Sequence, residues 1–162
     1  MPINFQDVNC QGKTEAEKFG LVDNENSMPA YISHNTDEQW NATVVNQNNI
    51  AVTFTAIDHC ISILREDGSM ERRCDGMLTY TDNIIFVEFK TGSSGWMPEG
   101  INQLETTINI FKDHNDLSAF KRRRAVVANC KHPRFRVISN EDKQRFYSKF
   151  KVRLHVEDTI II

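Results

Sequence analysis

Asp75, Glu88 and Lys90 are the residues in this chain whose types and spacing most directly offer chemistry. Glu88-Phe89-Lys90 closes an apolar run, Ile84-Ile85-Phe86-Val87, and Asp75 opens the segment before it. Two carboxylates and a lysine gathered at one strand end can hold a divalent cation and stabilise a phosphate. The plainer alternative is an Asp75–Lys90 ion pair across an exposed hairpin end. Charge at the end of a buried strand is costly when unpaired, so pairing or a metal is the usual answer.

A β-hairpin is the element that must position these groups. Residues 76–80 are rich in strand formers, Thr81-Asp82-Asn83 is a turn cluster, and residues 84–89 are too short for an ordinary helix. A two-residue turn at Asp82-Asn83 predicts that Thr79 faces Phe86, Met77 faces Glu88 and Asp75 faces Lys90. Directly opposed residues share a face, as do residues two apart. Asp75, Glu88 and Lys90 are then on one face; Ile85, Val87 and Phe89 are on the other with Leu78 and Tyr80. A turn with one more residue would turn Asp75 away from its partners.

Around the hairpin the chain reads as an α/β domain. Two short N-terminal helices are predicted, one over residues 14–19 with a Thr14/Glu17 capping box, the other over 36–43. Residues 50–56 read as a strand, and 60–64 as its continuation or a further one. Asp67-Gly68 centres a hairpin turn. After the loop at residues 91–98, a helix over 99–114 presents Ile101, Leu104, Ile108 and Phe111 on one face, flanked by Gln103 and Thr107. Residues 125–128 form a short buried strand, which the preceding helix makes parallel to a neighbour. A helix over 142–150 and a last strand over 152–162 complete the order. The whole reads as a single domain of 162 residues: an N-terminal polar, acidic region over 1–48 and a core over 50–130.

Composition excludes little by itself. Apolar content of 40%, charged content of 25% and a net charge of −3 are ordinary for a soluble chain. The charge is segregated, however: residues 1–60 hold two basic and eight acidic residues, and residues 112–136 hold eight basic and two acidic. A local basic surface inside an acidic protein is therefore available. Cys10, Cys60, Cys74 and Cys130 follow neither a zinc nor a disulfide-scaffold spacing, so reduced thiols are expected. With neither a secretory signal nor an apolar run near the roughly 20 residues of a membrane span, a cytoplasmic protein without a membrane partner is expected.

The order of elements, with Asp75, then 12 residues, then Glu88-x-Lys90, then a helix bearing Gln103, resembles the PD-(D/E)XK nuclease superfamily. The resemblance covers about residues 50–130. Gln103-x-x-x-Thr107 is similar to the Q-x-x-x-Y helix of some branches, with threonine in place of tyrosine, and Cys74 stands where the family has proline. The resemblance implies a restriction-endonuclease-like α-β-β-β-α-β core, with a mixed central sheet flanked by helices. It also implies phosphodiester hydrolysis dependent on Mg2+ or Mn2+, acting on nucleic acid, DNA before RNA. Asp75 and Glu88 would be the hard oxygen ligands, joined by the Phe89 carbonyl, with Lys90 orienting water or neutralising phosphate charge and Gln103 facing the site. An N-terminal acid, Glu15, Glu17 or Glu38, would complete the set. Sequence-specific cleavage would need a homodimer or a protein partner. The alternative on the same fold is a non-catalytic interaction, immunity or regulatory module that uses its acidic N-terminal third.

Other residues carry dual readings. Arg122, Arg123 and Arg124, with Lys121, Lys131, Arg134 and Arg136 nearby, can grip phosphates or simply solvate a strand end. Trp96 can stack on a base or anchor its loop to the core. Asp58-His59 reads as a structural pair. Neither a nucleophile elbow nor a phosphate-cradling glycine loop is present.

Overall fold

The computed structural model describes residues 3–132 and 138–162. In chain order the strands before the first helix are β1 (Gln11–Thr14), β2 (Lys18–Val22), β3 (Tyr31–Ser33), β4 (Ala42–Val45), β5 (Val52–Ala56), β6 (Gly76–Tyr80) and β7 (Asn83–Phe89). Then follow α1 (Trp96–His114), β8 (Arg122–Ala128), α2 (Asn140–Phe150), β9 (Arg153–Val156) and β10 (Thr159–Ile161). The fold is mixed α/β with two sheets. One sheet has six strands in the order β1-β5-β6-β7-β8-β9, the other four in the order β10-β4-β2-β3.

The large sheet is the frame. β5, β6 and β7 form an antiparallel meander, and α1 carries the chain over to β8, which pairs parallel to β7 as its crossover requires. β7 is buried along almost its whole length because both faces of the sheet are covered. On one face, Met77, Ile84, Phe86, Ala125 and Val127 meet Leu104, Ile108 and Phe111 of α1 and Phe146 and Phe150 of α2. On the other, Leu78, Ile85, Val87 and Val126 meet Phe19, Leu21 and Val44 of the small sheet. Three layers result: helices, large sheet, small sheet.

Several expectations are corrected here. The two N-terminal helices are not present: residues 11–14, 18–22, 31–33 and 42–45 are strands. Helices of six and eight residues are weak on their own. Phe19, Leu21, Ala42 and Val44 alternate at period two, which suits a sheet covering the exposed apolar face of β6 and β7. The helices consequently lie on one face of the large sheet instead of flanking it. The expected last strand divides into β9, beside β8, and β10, which changes sheet and pairs parallel to β4. Residues 60–64 contribute only a single bridge, Leu64 to Met70, closing the Asp67-Gly68 turn, where Gly68 takes φ +84°.

Two further corrections concern bonding. Cys10 and Cys60 form a disulfide, so only Cys74 and Cys130 are free. The hairpin turn sits one residue earlier than expected: Tyr80 pairs with Asn83, leaving Thr81-Asp82 as the turn, with Thr81 at φ +46°. Asn83 Nδ2 donates to the Tyr80 carbonyl and the Asp82 carbonyl accepts from Lys121 N–H, which fixes the turn there. The turn remains two residues long, so the predicted faces survive. The pairing moves along, however, and Met77 now faces Phe86.

Candidate functional site

The shifted register puts Asp75 level with Glu88, where the ladder of β6 and β7 gives way to side-chain bonds. Glu88 Oε1 accepts from the Asp75 N–H at 3.1 Å, and Asp75 Oδ2 accepts from the Phe89 N–H at 2.7 Å. Lys90 Nζ lies 3.2 Å from Glu88 Oε2 and 3.0 Å from Glu99 Oε1. The lysine therefore pairs with Glu88 and Glu99, not with Asp75 as the plainer expectation had it. Asp75 is 7% exposed and Glu88 2%.

Burial dominates the electrostatics. It pushes the Glu88 carboxyl up to about 7, against its hydrogen bonding with Asp75 and the attraction of Lys90. Burial raises Asp75 well above the usual carboxylate range, and the neighbouring Glu88 charge raises it further. For Lys90 burial works against the ammonium, but Glu88 and Glu99 together outweigh it and hold its pKa above the ordinary lysine value. Two carboxyls in contact inside a low-dielectric site share protons readily.

One stripe of α1 fastens the site. Glu99, Gln103 and Thr107, each four residues apart, sit one above the next. Glu99 holds Lys90; Gln103 Nε2 donates to the Arg73 carbonyl at 3.4 Å; Thr107 Oγ1 accepts from the Cys74 N–H at 2.7 Å. Gln103 Oε1 is buried without a hydrogen-bond partner among the described residues. Gly100 lets the helix come close: a Cβ there would lie 2.9 Å from Val127 Cγ1 and 3.6 Å from Glu88 Cγ. Trp96, the first residue of α1, packs against the core beneath, in line with the anchor reading.

Two further acids surround the pair: Asp58, read from sequence only as the structural partner of His59, and Asp23, not singled out there. Asp58 follows β5 and forms ion pairs with Arg73 Nε at 3.1 Å and with His59 Nε2 at 3.3 Å. Its charge raises the Glu88 pKa, and that of Asp23, just past β2, raises Asp75. Asp58 was findable, since the end of β5 must lie beside the start of β6 in an antiparallel meander. Asp23 was not, because it belongs to the unread second sheet. Glu15 and Glu17 lie at the opposite end of the large sheet, past Thr14, which pairs with Val52. Glu38 accepts from Ser33 Oγ and Tyr31 Oη, and lines a cavity of about 230 Å3 with Asp23 and Thr91. Among the described residues, no group of three or more His, Cys, Asp or Glu side chains is arranged to hold a metal.

The basic run lies elsewhere. β7 and β8 run parallel from Asn83–Arg122 to Phe89–Ala128. Arg122, Arg123 and Arg124 therefore stand at the start of β8, five, four and three residues before the rung that carries Glu88, or roughly 17, 13 and 10 Å along the strand at about 3.3 Å per residue. Lys131 lines the small acidic cavity beside Asp23 and Glu25. Arg134 and Arg136 are outside the described residues. Comparison with models of known families, with curated proteins and with solved structures returns no match.

Proposed function

We propose that the protein is a divalent-metal-dependent phosphodiesterase acting on nucleic acid, DNA in preference to RNA, with Asp75, Glu88 and Lys90 as its reactive centre. The observation that carries this reading is the buried pair of directly interacting carboxyls with Lys90 3.2 Å from one of them. A restriction-endonuclease-like core is part of the proposal. Its support is the β5-β6-β7 meander, the α1 crossover and the parallel strand β8; the N-terminal helix of that core has no counterpart among the described residues.

The donor set fits Mg2+ or Mn2+. Two hard carboxylate oxygens are what Mg2+ takes while keeping several waters, and both acids here are raised by burial, so a cation would relieve their repulsion. When bound, such an ion supplies Lewis-acid stabilisation and a more acidic water. Asp75 and Glu88 would hold it. Lys90, held by Glu99, would place a positive charge on a phosphate oxygen as negative charge develops there. Gln103, with its free buried acceptor Oε1, would orient a water at the rim.

A non-catalytic interaction module is the second reading. It is favoured by the closure of the site: Glu88 is 2% exposed and Lys90 already pairs with both Glu88 and Glu99. The two are separated by melting the protein with and without 5–10 mM Mg2+ or Mn2+ (roughly a hundred times a Kd of order 0.1 mM) and by assaying cleavage of single- and double-stranded DNA and RNA. The enzyme reading expects a stabilising shift that Asp75→Ala and Glu88→Ala abolish, and a fall in rate of about 10²–10³ for Lys90→Ala. Absence of both shift and cleavage in the wild type sinks it. The Cys10–Cys60 bond weighs against the expected cytoplasmic setting, since disulfides persist mainly in oxidising compartments.

A further inference from the structure

At the far end of the large sheet from the carboxylates lies a concavity of about 510 Å3 lined almost entirely by cations. Lys121, Arg122, Arg123 and Arg124 come from the start of β8, and Lys151 and Arg153 from the turn after α2 and the start of β9. Among the described residues, only Lys121 of these six has a carboxylate within ion-pair distance, Asp82 at 3.5 Å. The fixed arginines are held by neutral groups instead. Arg123 Nε donates to the Lys151 carbonyl, and Arg124 donates to the Ile161 carbonyl and to Tyr80 Oη. Such bonds set direction; Glu157 attracts Arg124, so the charge left for a ligand is that of Arg122, Arg123, Lys151 and Arg153.

Two other features mark this as more than a solvated strand end. Tyr147, 42% exposed, stands at the rim with Lys151 and Arg153 each 5.6 Å from its ring centre. An aromatic face framed by cations is how many proteins hold single-stranded nucleic acid, with a base on the ring and phosphates on the charges. His155 also lines the concavity, and its Nε2 is buried with no hydrogen-bond partner among the described residues. Burial and the surrounding Arg124, Lys143, Arg153 and Arg122 lower its pKa, which reports a local positive field. The carboxylate site lies roughly 10 Å from Arg124 and roughly 17 Å from Arg122 along the sheet, about one to two Debye lengths at 0.1 M salt, so its effect is screened most at the outermost arginine. Arginine forks match phosphate oxygens better than they match a lone point charge.

We propose that this concavity is a nucleotide-binding site, taking phosphates on Arg122, Arg123, Lys151 and Arg153 and a base against Tyr147. The ligand is either one stretch of a nucleic-acid strand or a free nucleotide; the chemistry recognised is the same. The site needs no metal and does not depend on hydrolysis at Glu88. Because the chain is acidic overall, with a net charge of −3, binding here would be local recognition and not bulk attraction.

The test is fluorescence anisotropy in EDTA with a labelled 15-nucleotide single-stranded DNA, its RNA counterpart and a duplex, with ATP and pyrophosphate as competitors. The wild type is expected to bind. The exposed-residue double variant Arg122→Ala/Arg153→Ala, shown folded by circular dichroism, should bind at least about tenfold more weakly and lose about two from the slope of log K against log salt. Tyr147→Ala should weaken ATP and strand more than pyrophosphate. Strand binding that ATP does not displace assigns the site to nucleic acid; ATP binding without strand binding assigns it to a free nucleotide. No binding of any phosphate probe at low salt, or a double variant that binds like the wild type, overturns the inference. Cleavage is scored separately with Mg2+ added: binding in EDTA by a wild type that cleaves no strand supports this inference and counts against the phosphodiesterase reading.

Discussion

Glu88 has a stability signature that can be read without any substrate. Its carboxyl moves from an ordinary 4.5 to about 7 on folding, chiefly through burial. Between those values the folded protein keeps a proton that the unfolded chain has released, so metal-free stability falls as pH rises through the window. The contribution is fully present below 4.5 and gone above about 7; Asp75, also raised, acts with the same sign. Glu88→Gln, which cannot ionise, should flatten the dependence of melting temperature on pH from pH 5 to 8. It should exceed the wild type in stability at pH 8 by a margin of order 1–3 kcal/mol. Parallel wild-type and variant curves would mean that Glu88 is ordinary. The residue types and the shared face of this trio were legible from period-two geometry. Which carboxylate meets the lysine was not, because it depends on a turn position that Asn83 and Lys121 decide.

The helix α1 shows how an element can carry a site without supplying its reactive groups. Its existence was legible from apolar periodicity, and Glu99 near its start and Lys112 and His114 in its last turn complement the helix dipole. Its inward face was legible as well: Leu104, Ile108 and Phe111 are buried, and Ile101 packs half-buried against the core. The burial of Gly100 and Thr107 beside them was not legible, because it depends on how closely the helix approaches Val127. That approach aims Thr107 Oγ1 at the Cys74 N–H just before Asp75. Thr107→Val would leave this N–H buried and unpaired, at a cost of about 1–3 kcal/mol. Urea unfolding should report that loss, whereas Thr106→Val, on the exposed side, should stay within about 0.5 kcal/mol of wild type. Equal midpoints for the two variants would show that the clamp contributes nothing.

At the scale of the whole molecule, the sheet separates Asp75, Glu88 and Lys90 at one end from Arg122, Arg123 and Arg124 at the other. The Cys10–Cys60 disulfide ties the segment before β1 to the turn after β5 across 50 residues. A loop of that length closed in the unfolded chain is worth about 4 kcal/mol in the chain-entropy model. Reduction by dithiothreitol should therefore lower the melting temperature by about 10 °C, and Cys10→Ser/Cys60→Ser should match the reduced wild type. A double variant as stable as the oxidised protein would remove the disulfide from the account. No helix among the described residues is long and apolar enough to cross a membrane.

By itself the sequence determined the meander, the crossover helix, the parallel strand and the common face of Asp75, Glu88 and Lys90, because each follows from local periodicity and chain connectivity. Tertiary structure alone decided three things. The polar N-terminal third became a second sheet, because the bare apolar face of β6 and β7 required a cover that local propensity did not announce. Cys10 met Cys60, because β1 pairs at the edge of β5. The arginines went to the opposite end from the carboxylates, because a parallel strand reached through a helix begins where its neighbour begins, and not where it ends.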